Sequence, residues 1–207
     1  MFMDNKDYWE KYYKNNKNPV VPSSFAEFCV GFLEKNKTLI ELGCGNGRDS
    51  LFFSKNEINV VAVDQVENEI EYLNEEFSSD KLKFLSDDFT TLPTDKTYDY
   101  VYSRFTLHSI TNEKEDDVLN WVSSQLNDNG LFLLEVRSLN DPMLNKGEKI
   151  SKNENVTNHY RRYLDFDETI DKIQSKGLNI IYKLESQGLS VYDNDDPMLI
   201  RIVAKKG

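Results

Sequence analysis

The chain predicts an α/β fold, an open doubly wound sheet, on three observations. "TLIEL" (38–42) and "INVVAVD" (58–64) are largely apolar runs, as in parallel strands covered on both faces. Between them "GCGNG" interrupts the chain just after an acid, and "RDSLFFSK" resumes with helical spacing. Strands and helices then keep alternating to the C-terminal end, which calls for right-handed crossovers.

Each element has a local signal. Residues 6–15 place Tyr8, Trp9, Tyr12 and Tyr13 on one face of a short helix. "NPVVPSS" (18–24) breaks it, and Ser23 or Ser24 caps a second helix, "FAEFCVGFLEK" (25–35), with Phe25, Phe28 and Phe32 at helical spacing. The strand at 38–42, the helix at 47–55 and the strand at 58–64 follow. Next come a helix at 67–77 and strands at 82–86 and 98–103. "EDDVLNWVSSQL" (115–126) is a helix stopped by "NDNG", and "LFLLEVRS" (131–138) is the fifth strand. From Leu139 to Tyr163 the chain is polar, and a loop of that length inside a domain points to function. "DFDETIDKIQSKG" (165–177) is a capped helix. "LNIIYKLESQGLSV" and "PMLIRIVAKK" form a terminal antiparallel pair around the acidic turn "YDNDD", which makes the sheet mixed.

At 207 residues the chain suits a single domain. Its net charge is −11 and no basic run exceeds two residues, which argues against a nucleic-acid partner. No stretch has the length of a membrane-spanning helix, and residues 1–20 do not read as a signal peptide. Cys29 and Cys44 stand apart, so neither a disulfide framework nor a zinc site is implied. A cytoplasmic protein, monomer or homodimer, without a metal is expected.

Gly43, Gly45 and Gly47 fall at the carboxyl end of the first strand, where open α/β sheets bind ligands. Glycine accepts positive φ and lets a ligand reach the backbone, and the following helix offers free N–H groups. The spacing is G-x-G-x-G. A dinucleotide fingerprint needs glycine at 48, where Arg48 stands, which disfavours a nucleotide-dependent oxidoreductase. Asp64 ends the second strand, 21 residues after Gly43, where an acid can accept both ribose hydroxyls; the plainer reading is a helix cap. Asp87 and Asp88 end the third strand. One of these carboxylates can receive an adenine amine beside the apolar wall of Phe89, the alternative being an acidic turn.

"ELGCGNGRDS", "VVAVDQ", "SDDF" and "YDYVYSRFTLHSI", in that order, resemble the cofactor segments of the class I, Rossmann-like S-adenosylmethionine-dependent methyltransferases. The likeness runs from Thr38 to Arg137, and the terminal hairpin fits it. The resemblance implies a seven-stranded mixed sheet of order 3-2-1-4-5-7-6 and S-adenosylmethionine as cofactor. It places Glu41, Gly43 and Gly45 at the methionine end, Asp64 and Gln65 around the ribose, and Asp88 and Phe89 at adenine. Ser103 and Arg104 fall by the methionine part and the transferred methyl. "DYWEKYY…PSSF" resembles the aromatic cover of small-molecule branches, so residues 1–36 are expected to lie over the cofactor with Trp9 and Tyr12 or Tyr13. Core packing is the alternative for these rings.

The six arginines fall at 48, 104, 137, 161, 162 and 201, and both histidines lie in arginine-bearing segments. Arg104, Arg137, Arg161 and Arg162, with His159, are the candidates for binding an anionic small-molecule acceptor. His108 or His159 is the base if the acceptor is a hydroxyl, and residues 139–163 are the expected substrate lid. Plainer alternatives are an ion pair of Arg137 with Asp99 or Glu135, a solvated loop face for Arg161 and Arg162, and a hydrogen-bonded helix position for His108. "YSRFTLHSI", "EVRSLNDP" and "HYRRYLDF" loosely resemble methyltransferases of bacterial surface-polysaccharide clusters, some of which modify phosphorylated or phosphoramidate precursors. The expected reaction is methyl transfer to an oxygen, in preference to a nitrogen, of a small anionic metabolite. A non-catalytic S-adenosylmethionine-binding regulator or partner subunit is the alternative from another class.

Overall fold

A computed structural model describes residues 5–15, 21–193 and 195–207. At its centre are the two apolar runs, now β1 (Thr38–Leu42) and β2 (Asn59–Asp64), paired in parallel. β3 (Leu82–Ser86) extends the sheet on the far side of β2, and β4 (Tyr98–Arg104) and β5 (Leu126–Arg137) extend it beyond β1. β6 (Glu148–Ser151), β7 (Glu154–Val156) and β8 (Tyr160–Arg162) form a separate three-stranded sheet. The last pair, β9 (Leu178–Ser186) and β10 (Leu199–Lys206), completes the large sheet, with β10 antiparallel to both β5 and β9. The order is β3-β2-β1-β4-β5-β10-β9. With the three short strands set apart, this is the expected 3-2-1-4-5-7-6.

Strand alternation sends successive side chains to opposite faces, and each face is covered. On one side Ile40, Leu42, Val101 and Phe132 pack with Val118 and Val122 of α5 (Asn112–Gln125) and Ile173 of α6 (Phe166–Ser175). On the other, Leu39, Ala62 and Tyr102 meet Phe25 of α2 (Ser24–Cys29), Phe53 of α3 (Arg48–Lys55) and Leu73 of α4 (Glu67–Phe77). α1 (Asn5–Asn15) lies against α4. No helix among the described residues is long and apolar enough to cross a membrane.

Three elements differ from the sequence expectation. The second helix stops at Cys29, passes through a 3-10 turn at Val30–Phe32, and turns extended at Leu33, short of Lys35. The break before it lies partly outside the described residues, at 18–20. "NDNG" does not simply end α5. It bulges from β5, whose pairing with β4 shifts from Tyr98–Leu126 to Tyr100–Leu131, with Asn129 at φ 65°. The 139–163 stretch is not an irregular loop but the 3-10 turn Pro142–Asn145 followed by β6–β8. Short strands of mixed polar residues leave too weak a period for the sequence to reveal them. One of them is tied down internally, since the buried Asn155 amide donates to the carbonyls of Met143 at 2.7 Å and Lys146 at 2.9 Å.

A buried charge cluster holds the long β9–β10 connection (187–198). Fully buried Glu135 of β5 accepts from Arg104 Nε at 2.9 Å and from Arg201 Nε at 2.6 Å. Arg104 also donates to Ser190 Oγ, and Arg201 to the Leu189 carbonyl, each at 2.9 Å. Removing the carboxylate strands two cations in a low-dielectric interior, so Glu135→Ala should cost about 3–5 kcal/mol. Urea or thermal unfolding reads that loss, and Glu135→Gln, which keeps one of the two acceptor oxygens, should lose somewhat less.

Candidate active site

The turn after β1 is built to expose backbone. Gly43 and Gly45 sit at φ 71° and 55°, in the left-handed region. A Cβ on Gly43 would run into the Thr106 methyl, and one on Gly45 would lie 2.9 Å from the Tyr13 hydroxyl. Asp64 ties the turn to β2, for its carboxylate accepts from the N–H of Gly45 at 2.9 Å and of Val66 at 3.0 Å. Burial raises its pKa against the pull of those backbone donors. Glu41 lies beneath the turn, buried, and accepts from the Ser50 hydroxyl. Burial, with Asp49 adjacent, pushes its pKa well up. Asp49 takes Ser23 N–H and Oγ at 2.7 Å and the Tyr102 hydroxyl at 2.8 Å, which pins α2 to α3.

The other predicted cofactor residues surround this turn unevenly. Phe89 brings its ring within 4.0 Å of where a Gly43 Cβ would stand. Asp88 Oδ1 is taken by the Thr90 N–H at 2.9 Å and hydroxyl at 2.8 Å, and Oδ2 faces Lys114 at 3.8 Å. Gln65 is exposed at the end of β2. Ser103 is fully buried and its hydroxyl is hydrogen-bonded to Thr106 Oγ1, so it turns inward. Thr106 went unnoticed in the sequence, since nothing local marks a threonine whose methyl meets a distant glycine.

The N-terminal helix bridges two regions. Tyr13 covers Gly45, and burial, then the nearby Asp64 carboxylate, raises its pKa. Trp9 stacks on Tyr13 at 5.8 Å between centroids and 20° between planes. Trp9 and Tyr8 in turn pack on His159, at 5.1 and 4.5 Å. Tyr8, expected only as part of the helix's aromatic face, also accepts from Asn158 Nδ2 at 2.8 Å. Two aromatic rings thus connect the glycine turn to the β7–β8 corner.

The arginines do not converge as expected. Arg162 points away from the mouth. It donates to buried Glu115 of α5 and to the carbonyls of Leu107 and Ile110, stapling the small sheet down. Arg104 is taken by Glu135 and Ser190 and lies 4.1 Å over the Phe105 ring. Arg137 pairs with neither Asp99 nor Glu135. It binds Asp141 at 2.9 Å and Asp195, and these acids win over burial to raise its pKa. Five of the six arginines have a carboxylate partner among the described residues; Arg161 has none. It donates instead to Thr157 Oγ1 and Asn158 Oδ1, and burial and the neighbouring Arg137 lower its pKa.

Beside it His159 is buried, and its Nδ1 has no partner among the described residues. Burial, with Arg161 and Arg137, pulls its pKa down to about 3. His108 lies in the 3-10 turn Leu107–Ser109 and accepts at Nδ1 from the Arg137 N–H at 3.4 Å. Burial and Arg137 hold it well below the usual imidazole range too. Among the described residues no cluster could hold a metal ion.

Sheet order, reversed terminal hairpin and bare-backbone turn together define a methyltransferase of the Rossmann-like class. A family model described as a methyltransferase domain matches residues 33–187, and the chain belongs to that family. It is an S-adenosylmethionine-dependent methyltransferase. No curated protein sequence matches it. Among solved structures, the 1,6-didemethyltoxoflavin N1-methyltransferase of Burkholderia thailandensis superimposes with TM-score 0.74 at 16% identity, over 98% of this chain and 86% of that one. An S-adenosylmethionine-dependent methyltransferase of Clostridium acetobutylicum gives 0.70 at 17%, over 97% and 98%. A TehB-like enzyme of Corynebacterium glutamicum gives 0.69 at 14%, over 98% of each chain. At these identities the likeness is one of fold.

Two outcomes follow from the geometry. Gly43→Ala should weaken S-adenosylhomocysteine binding at least tenfold in calorimetry, while Gly31→Ala, with open space around its Cβ, should not. In NMR titrations neither imidazole should change protonation between pH 5 and 8, against an unperturbed value near 6.5; a midpoint near 6.5 for either would contradict the burial described above.

Proposed function

We propose that this methyltransferase acts on a small metabolite whose accepting oxygen is already anionic, and that Arg161, beside His159, receives that anion. The observation that carries the reading is a half-buried guanidinium without a carboxylate, next to a buried imidazole with an unmet acceptor. A guanidinium suits carboxylate or phosphate in a two-pronged contact. His159 Nδ1 can accept from a donor on the same acceptor, such as a hydroxyl or a phosphoramidate N–H.

The residues at the glycine turn fit the cofactor. Bare backbone at Gly43 and Gly45 admits close approach, and Asp64, held by two N–H groups, presents its remaining lone pairs to ribose hydroxyls. Phe89 and Asp88 serve adenine, Gln65 flanks the ribose, and Glu41 and Ser103 support the turn and the strand end from below. Bound there, S-adenosylmethionine supplies an electrophilic methyl group that an anionic oxygen can take without giving up a proton. That suits a site whose two histidines stay neutral and weakly basic, whereas a sugar hydroxyl would need a base with a pKa near the working pH. Orientation of the bound acceptor can contribute roughly 7–11 kcal/mol. Arg161 and His159 orient it, Arg137 becomes a second cation when a counter-ion gives way, and β6–β8 forms the lid. Trp9 and Tyr13 close over the cofactor, and α1 must move to admit it.

A phosphorylated or phosphoramidate precursor of a surface polysaccharide has the required charge. A nitrogen acceptor is the second reading, favoured by the Burkholderia neighbour, whose name places its methyl on N1. Transfer assays over a panel of phosphorylated and carboxylated metabolites decide between them. Arg161→Ala should leave S-adenosylhomocysteine affinity within twofold and lose about 1.5–3 kcal/mol of transition-state binding, roughly ten- to a hundredfold in kcat/KM. Asp64→Ala should abolish cofactor binding. Full turnover by Arg161→Ala on the responsive acceptor would sink the anion reading.

A further inference from the structure

Arg137 has two carboxylate partners, and they are unlike. The Asp141 side chain is 1% exposed and also caps the 3-10 turn through the Met143 N–H at 2.7 Å. The Asp195 side chain is 39% exposed, and Arg137 is its one side-chain partner among the described contacts. Asp195 stands in a tight turn closed by two backbone hydrogen bonds with Tyr192, each 2.9 Å. The turn carries little core weight, for Val191 and Tyr192, which lead into it, are 61% and 73% exposed. The 187–198 connection is itself held by guanidinium contacts, from Arg104 to Ser190, Arg201 to Leu189 and Arg137 to Asp195. The last of these lies by the Arg161 segment: the Arg137 carbonyl accepts from the Leu164 N–H at 3.1 Å, and both the Arg137 guanidinium and the Asp195 carboxylate act on Arg161.

We propose that Asp195 is a specificity-determining residue: a removable internal counter-ion that occupies the outer prong of Arg137 and must be displaced by the anionic group of the acceptor. This rests on reading Arg161 and Arg137 as the acceptor's anion site. With Asp195 seated, Arg137 is neutralised on both prongs and the pocket offers Arg161 alone. With Asp195 displaced, two guanidiniums face the ligand while Asp141 keeps the inner prong of Arg137 in place. A neutral or weakly charged molecule gains too little to drive out a carboxylate, whereas a phosphate-bearing acceptor replaces it prong for prong. Selection then comes from a repulsive element as well as an attractive one.

The test is calorimetric titration of the full chain, loaded with S-adenosylhomocysteine, with inorganic phosphate at fixed ionic strength. Asp195→Asn and Asp195→Ala should bind phosphate at least tenfold more tightly than the unaltered protein. Adding Arg161→Ala to either should reverse the gain. If both variants keep their melting temperature and cofactor-product affinity yet bind phosphate no better, the proposal is overturned. Loss of melting temperature in both without any gain also overturns it, making Asp195 a structural counter-ion alone. A gain that Arg161→Ala leaves intact supports displacement of Asp195 and instead refutes the role given to Arg161.

Discussion

The five residues from Gly43 to Gly47 impose a constraint that reaches far beyond them. Where the backbone must stay bare, other parts of the chain can come close, and they do. The Thr106 methyl fills the space over Gly43, and Tyr13 fills that over Gly45. Asp64 secures the turn from the neighbouring strand through the Gly45 N–H. The loop after β4, the N-terminal helix and the end of β2 are thus positioned by the same missing side chains. A methyl group at either glycine would disturb the ligand surface and its surroundings together.

A second principle governs the cations. In a chain with 36 acidic and 25 basic residues, a buried guanidinium finds a carboxylate readily, and an unpaired one costs several kcal/mol. Arg104 and Arg201 share Glu135, Arg162 takes Glu115, and Arg137 takes Asp141 and Asp195. Apart from the pair with half-exposed Asp195, these are structural bolts. They fix the 187–198 connection and fasten the small sheet to α5. Among the described residues Arg161 stands outside this pattern, and its cost is lessened by hydroxyl and amide acceptors in place of a carboxylate. Burial, with that positive charge beside it, holds the His159 imidazole well below its usual range.

The large sheet was legible in the chain because its signals are local and strong. Apolar runs of strand length, a glycine turn, caps such as Ser23 and Asp165, and a reversed terminal pair each act within a few residues. That is why β1 and α4 fall where the pattern puts them, and why a glycine turn follows β1 and an acid ends β2. Local pattern failed where pairing is non-local. β6–β8 are short and polar and are held by contacts such as that of Asn155 with Met143, which no periodicity records.

The partners of the charged residues could not be read along the chain at all. Arg161 and Arg162 are adjacent in sequence, yet strand alternation sends them to opposite sides, one to an open corner and the other to Glu115. Composition and motif establish a glycine turn, a strand-end acid and a scarce set of arginines. Which arginine keeps its charge available depends on where 47 to 66 residues of intervening chain bring each carboxylate, as from Glu115 to Arg162 or from Glu135 to Arg201. Ion pairing is a short-range interaction between groups distant in sequence, so only the folded arrangement assigns it.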